Sequence, residues 1–457
     1  MLTELASTDV TILSRIQFGV TASYHIIFPS LLIGLSTLLS FFYARWLKTN
    51  EQVYLDSYEL WLKLLVIVYL SAAITGIALS SQLDNVFGGF YSQVEQALLP
   101  IRRIELFLAI ILEGGCIGVM LFYARQKRSR GRFSATLLFN LGIFLTALFV
   151  VSRNSWMNTP AGVEWINNQA HVISYFDVLF NPSFPLRYAH MIIAGLMATS
   201  FVIMGIAAFR LLKNRTDPIA IKSFTIGFKA AFVFTIVQFI IGDLHGLDIH
   251  KHQPLKIAVM EGHWQTDTGS DFIIWGNPDS DNEMNHNEIK IPNALSLLLT
   301  HSMEGEVRGI KELPANERPN IPLAFYAFRI MLAMALLMLI VVIIGAFKSR
   351  TKPLHQQPIF LKIALTISPA GLIAIIAGWI VAEVARQPWT VYGIIKTSDI
   401  ISAQSSEQII TSMALLTVLY LLLSILSAYL IGKFVLRDAP LPNIKFKPTK
   451  ALPSTHH

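Results

Sequence analysis

Two histidines, one methionine and a few charged side chains stand inside stretches of sequence that are otherwise apolar. His25 sits in FGVTASYHIIFPSLLIGL, His190 in FPLRYAHMIIAGLM, Arg329 and Met331 in YAFRIMLAM, and Glu105 and Glu113 in IELFLAIILEGG. The stretch GWIVAEVARQPW adds Trp379, Glu383 and Arg386, at spacings that form one stripe on a helix. Polar groups in such surroundings are costly and commonly functional. Imidazole and thioether together suit axial ligation of low-spin haem iron, the methionine raising the reduction potential. A zinc site would instead show His or Cys at short fixed spacings, which these residues lack. Singly, each residue also has an ordinary use: a histidine can hydrogen-bond between helices, a methionine can fill a core, and a protonated glutamate can bond a carbonyl. A proton-coupled transporter carries intramembrane Glu and Arg as well, but has no need of a His and Met pair. Glu105 and Glu113, about 12 Å apart in rise and within roughly 80° around a regular helix, suit successive stations for protons.

The elements that must position these groups follow from composition. Of 457 residues, 53% are hydrophobic and 14% charged, against about 25% charged in an ordinary soluble domain. The fold class is therefore an all-α integral membrane protein. Apolar runs of bilayer-crossing length, about 17–25 residues, occur at 17–43, 61–82, 105–124, 134–152, 187–210, 224–243, 323–347, 359–383 and 410–433, which makes nine spans. The polar region 244–322 is rich in Asp, Asn, Pro and His and is expected to form an extramembrane lobe. It separates spans one to six, within 1–243, from spans seven to nine, within 323–436; a tail follows at 437–457. Links after the odd-numbered spans, with the tail, hold 22 of the 36 basic residues, five of them crowded into YARQKRSRGRF. Positive links are retained in the cytoplasm, so the N-terminus and the lobe are expected outside and the C-terminus inside. All the polar residues named above then fall in the outer half of the bilayer. The same asymmetry explains the net charge of +7 without nucleic acid. MLTELASTDVTILSR lacks the basic start of a signal peptide, and span one is expected to stay in the mature protein. Cys116, the only cysteine, allows no disulfide and no CxxCH haem attachment.

The blocks SRIQFGVTASYH, IELFLAIILE, NPSFPLRYAH, KIAVMEGHW, FRIM and GWIVAEVARQPW resemble, in this order and over nearly the whole chain, subunit I of the cytochrome bd-type quinol oxidases. The last block is the most specific. The compact lobe is similar to that of the short quinol-loop branch, which includes the cyanide-insensitive oxidases. The resemblance implies a terminal respiratory oxidase of the bacterial cytoplasmic (inner) membrane. Such an enzyme oxidises quinol at the outer face and reduces O2 to water through three haems, building a proton gradient without pumping.

By the same resemblance, His190 and Met331 would be the axial ligands of a low-spin b haem. His25 and Glu383 would serve two high-spin haems, one b-type and one d-type or a further b-type in its place; which residue takes which stays open. Trp379 would pack on a porphyrin face, and Arg386 would pair with propionates or with Glu383. Arg329 points about 200° around the helix from Met331, yet its long side chain can reach a propionate; Arg15, three turns before His25, would be another propionate partner. An interfacial Trp/Arg belt with a snorkelling Glu is the ordinary alternative for the stripe. Glu105 and Glu113 match two family glutamates beside the high-spin haems. Lys256 and Glu261, in GDLHGLDIHKHQPLKIAVMEGHW, match the pair implicated in quinol oxidation, the carboxylate taking the phenolic proton and the lysine bonding the quinone oxygen. His245, His250, His252 and His263 of that stretch lie outside the family pattern and are expected to be solvated loop residues. The implied partners are subunit II, a small single-helix subunit, ubiquinol or menaquinol, and O2. Two stretches depart from the pattern: SSQLDNVFGGFYSQV replaces a GTNW-like segment, and IRRIE places two arginines just before Glu105.

Overall fold

The computed structural model describes residues 10–122, 129–401 and 404–437. Among these residues nine helices are long and apolar enough to cross a membrane: α1 (Val10–Thr49), α2 (Gln52–Asn85), α3 (Gly88–Phe122), α4 (Arg130–Asn158), α5 (Phe184–Lys213), α6 (Pro218–His252), α7 (Ile321–Ser349), α8 (Pro358–Val384) and α9 (Ser406–Leu436). Each expected span lies on one of them as far as it is described, and most helices run on beyond the apolar stretch. The tail from 438 and most of the basic link YARQKRSRGRF lie outside the described residues.

Local chemistry sets the helix ends. Asp217 accepts from the Ala220 N–H with Pro218 at the first helical position of α6, Asn320 accepts from Leu323 before α7, and Ser405 with Gln408 forms a capping box on α9. Each satisfies amides that would otherwise be orphaned at a helix start. Pro369 interrupts α8, which is helical over Pro358–Ile367 and again over Ala370–Val384, since proline supplies no N–H and crowds the preceding turn.

The centre of the bundle is α5, the most enclosed of the nine. It is approached closely by α1 and α8 because small residues line the contacts: a Cβ on Gly34 would lie 2.2 Å from Thr199, and one on Gly371 would lie 2.6 Å from the Ala198 backbone. The basic link contributes one internal strut as well as a charge. Arg132 is buried on α4, donates to the Met120 carbonyl at 3.0 Å, forks onto the Glu59 carboxylate of α2 and lies over the Tyr58 ring.

The lobe is shorter than the polar sequence suggests, because α6 continues to His252 and α7 begins at Ile321. Helix six persists past its apolar stretch until Pro254, so GDLHGLDIHKH is helix and not loop. The lobe itself holds a short helix (Pro254–Glu261), a hairpin pairing Phe272–Asp279 with Met284–Ile291, and smaller elements. Gly262 ends the short helix in the left-handed region, φ 67°, where glycine carries no steric penalty. Trp264, Ile257 and Met260 join Ile321, Ala324 and Val381 in one apolar cluster, which seats the lobe on the ends of α7 and α8. Two-residue to eight-residue strands in antiparallel pairs are the only β-structure among the described residues.

Gly371→Val would force α8 away from α5 and is expected to lower the thermal midpoint in detergent by the equivalent of about 1–3 kcal/mol of overpacking. Gly19→Val, at a site where a Cβ meets nothing within 4 Å, is the control; equal midpoints for the two variants would contradict the packing described.

Candidate functional site

Each residue of ligand type stands on its own helix, backed by a neighbouring helix that leaves it room. His25 on α1 faces α2, where Thr75 Oγ1 lies 2.8 Å from its Nδ1 and a Cβ on Gly76 would lie 3.4 Å from its Cε1. The Thr75 hydroxyl donates to the Ser71 carbonyl at 2.8 Å; it therefore accepts the Nδ1–H, and Nε2 is the free nitrogen. His190 on α5 faces α6, against Gln238 and Gly242, with the His245 ring centroid 5.0 Å away. Met331 on α7 faces α8, where a Cβ on Gly378 would lie 3.0 Å from its sulfur. One residue on, Trp379 shares an apolar cluster with Ile26 of α1 and Ala194 and Ala198 of α5, so it sits between the helices of the two histidines. Among the described residues no three His, Cys, Asp or Glu side chains gather as a bare metal ion would need; single ligands on separate helices suit a porphyrin.

Glu383 is the hub of the polar layer. Its carboxylate accepts from Asn154 Nδ2 at 2.7 Å and from Arg386 Nη2 at 2.6 Å. The helix stops at Val384, so Arg386 reaches back from the following turn rather than from the next turn of helix. Arg153, beside Asn154 on α4, binds Glu105, joining a glutamate of α3 to the hub. Of the two arginines preceding Glu105, Arg102 is held elsewhere, forked onto Asp84 at 2.5 and 2.7 Å.

Lys256 and Glu261 are both buried, but they serve different ends of this layer. Lys256 Nζ donates to Asn158 Oδ1 at 3.0 Å and to the Ala382 carbonyl at 2.9 Å, next to Glu383. Burial, with Arg187 and Arg386 nearby, holds its ammonium well below the usual lysine range. Its two acceptors are one side-chain amide oxygen and one backbone carbonyl. Glu261 instead pairs with Arg329 Nη2 at 2.8 Å. Burial pushes its carboxyl up, the Arg329 guanidinium pulling down less strongly. Arg329, expected to reach a propionate, thus spends Nη2 on Glu261 and Nε on the Ile273 carbonyl at 2.7 Å, and keeps Nη1 buried without a partner. Arg15 is half-buried on α1.

Buried donors without acceptors test whether haem fits here. Arg153 Nε, Arg187 Nε, Arg386 Nε and Nη1, Arg329 Nη1 and His245 Nε2 all lack a partner. Such groups are destabilising unless something accepts from them. A dianionic ligand edge would do so, as haem propionates are, and glycines already lie against His25, His190 and Met331 where a side chain would crowd a porphyrin. The residues fit the group.

Glu113 lies apart from the hub, in a turn of α3 that widens into a π-helix over Leu108–Glu113. A wide turn takes in one extra residue, about 100° of rotation, which brings Glu105 and Glu113 to within roughly 20° of one line instead of the 80° of a regular helix. Tyr69 of α2 donates to the Ala109 carbonyl in that turn at 2.7 Å, and Thr146 of α4 donates to Glu113 at 2.6 Å.

Several members of the layer were not singled out from sequence. Arg187, three residues before His190, lies within electrostatic range of Arg386, Glu383 and Asp248; its helical spacing from His190 was the available signal. Asn154 and Asn158 share a face of α4, and Gln238 is a lone amide in an apolar run. His245, expected in a solvated loop, is enclosed on α6 against His190, and His250 and His252 are on the same helix. His263 is in the lobe but buried, 3.3 Å from Asp267.

The sequence profile of the family Cytochrome bd terminal oxidase subunit I matches residues 13–439. The chain is 28% identical to Cytochrome bd-II ubiquinol oxidase subunit 1 of Escherichia coli, over 93% of this chain and 96% of that one. It is 27% identical to Cytochrome bd ubiquinol oxidase subunit 1 of Bacillus subtilis, over 94% of each. The structure of bd oxidase from Geobacillus thermodenitrificans superposes with a TM-score of 0.87 at 28% identity, covering 94% of this chain and 99% of that chain.

The Glu261 carboxyl has a sign that can be measured. With its folded-state pKa above the unfolded value of about 4.3, the stability it contributes is complete below that value and is lost as pH rises through the folded one. The thermal midpoint of the protein minus that of Glu261→Gln is expected to decline as pH rises above about 4; a difference independent of pH would show the carboxyl unshifted.

Proposed function

The chain belongs to the cytochrome bd terminal oxidase subunit I family, and from that premise we propose that it oxidises a membrane quinol at the foot of the lobe and delivers the electrons through three haems to O2. It is a haem-containing oxidoreductase that uses quinol, and a multi-pass protein of the bacterial inner membrane. The observation that carries the finer reading is the layer of single His, Met and Glu side chains on separate helices, ringed by buried donors that lack acceptors.

Bound haem supplies the one-electron steps and the reduction of O2 to water. His190 and Met331 would hold a low-spin b haem; His25 and Glu383 would hold two high-spin haems, a b-type and a d-type or second b-type. Arg187, Arg386, Arg329 and Arg15 would receive propionates. Glu261 takes the phenolic proton of the quinol, and its raised pKa brings it nearer the working pH, where a general base is most effective. Lys256 is the hydrogen-bond donor to the quinone oxygen. Arg329 connects the Glu261 end to the helix that carries Met331, two residues on.

Protons for water pass by way of Glu113 and Glu105 on α3; Arg153 ties Glu105 to α4, next to the Asn154 that donates to Glu383. The excess of basic residues on the links opposite the lobe supports a lobe that faces outside and a cytoplasmic C-terminus. Quinol protons then leave outside while those for water come from the cytoplasm, so charge separates without a pump. Subunit II covers part of the apolar surface that α3 and α9 leave exposed, a small single-helix subunit is a further partner, and the quinol is ubiquinol or menaquinol.

A reduced-minus-oxidised absorption spectrum of the purified oxidase, with O2 uptake on added quinol, tests this. Haem bands and uptake are expected; a colourless preparation would point to transport, and haem bands without uptake to a protein that only passes electrons. Glu113→Gln is expected to lower turnover by about 100-fold, the usual scale of a lost proton-transfer group, while the spectrum persists.

A further inference from the structure

We propose that Gln238 is the positioning residue of His190: its side-chain carbonyl accepts the Nδ1–H of the imidazole, fixes the tautomer that offers Nε2 to iron, and lowers the potential of the low-spin haem. The proposal rests on the reading of His190 as an axial ligand.

Gln238 is 8% exposed on α6, in the apolar run IVQFII, where a primary amide is costly unless both its ends are bonded. Only one end is. Its Nε2 lies 3.2 Å from both ring nitrogens of His190, while its Oε1 is buried with no partner. One turn on, a Cβ at Gly242 would lie 3.7 Å from His190 Cε1 and 4.0 Å from Nδ1, so α6 backs the edge of the ring that carries Cε1 and Nδ1.

A neutral imidazole that binds iron through Nε2 carries its proton on Nδ1 and needs an acceptor there. An amide presenting its NH2 group sets donor against donor. Half a turn about the last side-chain bond exchanges NH2 and C=O, which are almost the same size. The Nδ1–H then gains an acceptor and the orphaned oxygen gains a donor.

His25 shows the same arrangement already complete, since Thr75 spends its proton on Ser71 and accepts from Nδ1. The His245 ring stands 5.0 Å from that of His190, centroid to centroid and tilted by 52°, with its Nε2 unpartnered. An acceptor on Nδ1 makes the ring a more basic ligand and favours ferric iron, so the amide acts on the potential and not only on the fold.

The test is a redox titration of the low-spin band in the intact oxidase. Gln238→Leu, which removes the acceptor, is expected to raise the midpoint, and Gln238→Glu, which strengthens it, to lower the midpoint. The order Glu below Gln below Leu is one that altered packing does not produce. An unmoved or lowered midpoint in Gln238→Leu overturns the proposal. Should that variant fail to retain the low-spin band, Gln238→Glu decides alone: a lower midpoint than the native protein supports the proposal, and an equal or higher one overturns it. His190→Ala separates the two levels of inference. If it keeps the low-spin band, the ligand assignment itself falls; if it loses the band while the Gln238 variants titrate like the native protein, only the role of Gln238 falls.

Discussion

A charge carried into hydrocarbon must be met by an opposite charge or by hydrogen bonds, and the lobe-side ends of α4, α5 and α8 are arranged by that requirement. Glu383 brings one negative charge. Asn154, Arg386, Arg187 and Lys256 answer it with more positive charge and more N–H groups than one carboxylate can use. The surplus gives the layer its character. Five of the six partnerless donors are arginine nitrogens, and an arginine does not discard its proton to escape burial. Lysine can, and Lys256 is the cation in this group whose charge burial opposes most plainly.

The spans were legible in the sequence because an apolar run of bilayer length has few other uses. Their ends were not. Polarity rises along α6 after Ile241 while the helix continues to Pro254, because a backbone needs only the absence of a breaker to go on. For that reason His245 read as a loop residue although it stands in the bundle against His190. The stripe of Trp379, Glu383 and Arg386 was legible as a group, and Glu383 and Arg386 do pair, although the helix has ended before the arginine. The ion pair between Glu261 and Arg329 was out of reach of any spacing argument, since 68 residues separate the partners. Arg187 and Gln238 were each visible as polar residues in apolar company; what hid them was that their importance lies in which helix they face.

Family membership and geometry support each other at different resolution. The profile match covers the chain and places it among the terminal oxidases, while the residue pattern bears on how the work is divided. Lys256 belongs with Glu383, and Glu261 with Arg329 and the helix of Met331. A substrate lying under the short helix Pro254–Glu261 would thus touch two electrostatic environments, one where burial opposes a lysine's charge and one where a carboxylate meets an arginine. A quinol that must lose protons and electrons together is suited by that contrast.

The wide turn of α3 has a further meaning. A π turn differs from ordinary helix by a single residue of winding, so the near-alignment of Glu105 with Glu113 is stored in the backbone rather than in either side chain. The Ala109 carbonyl takes its hydrogen bond from Tyr69 on another helix. The line of carboxylates in α3 is therefore a property lent to it by α2, and the two helices share custody of it.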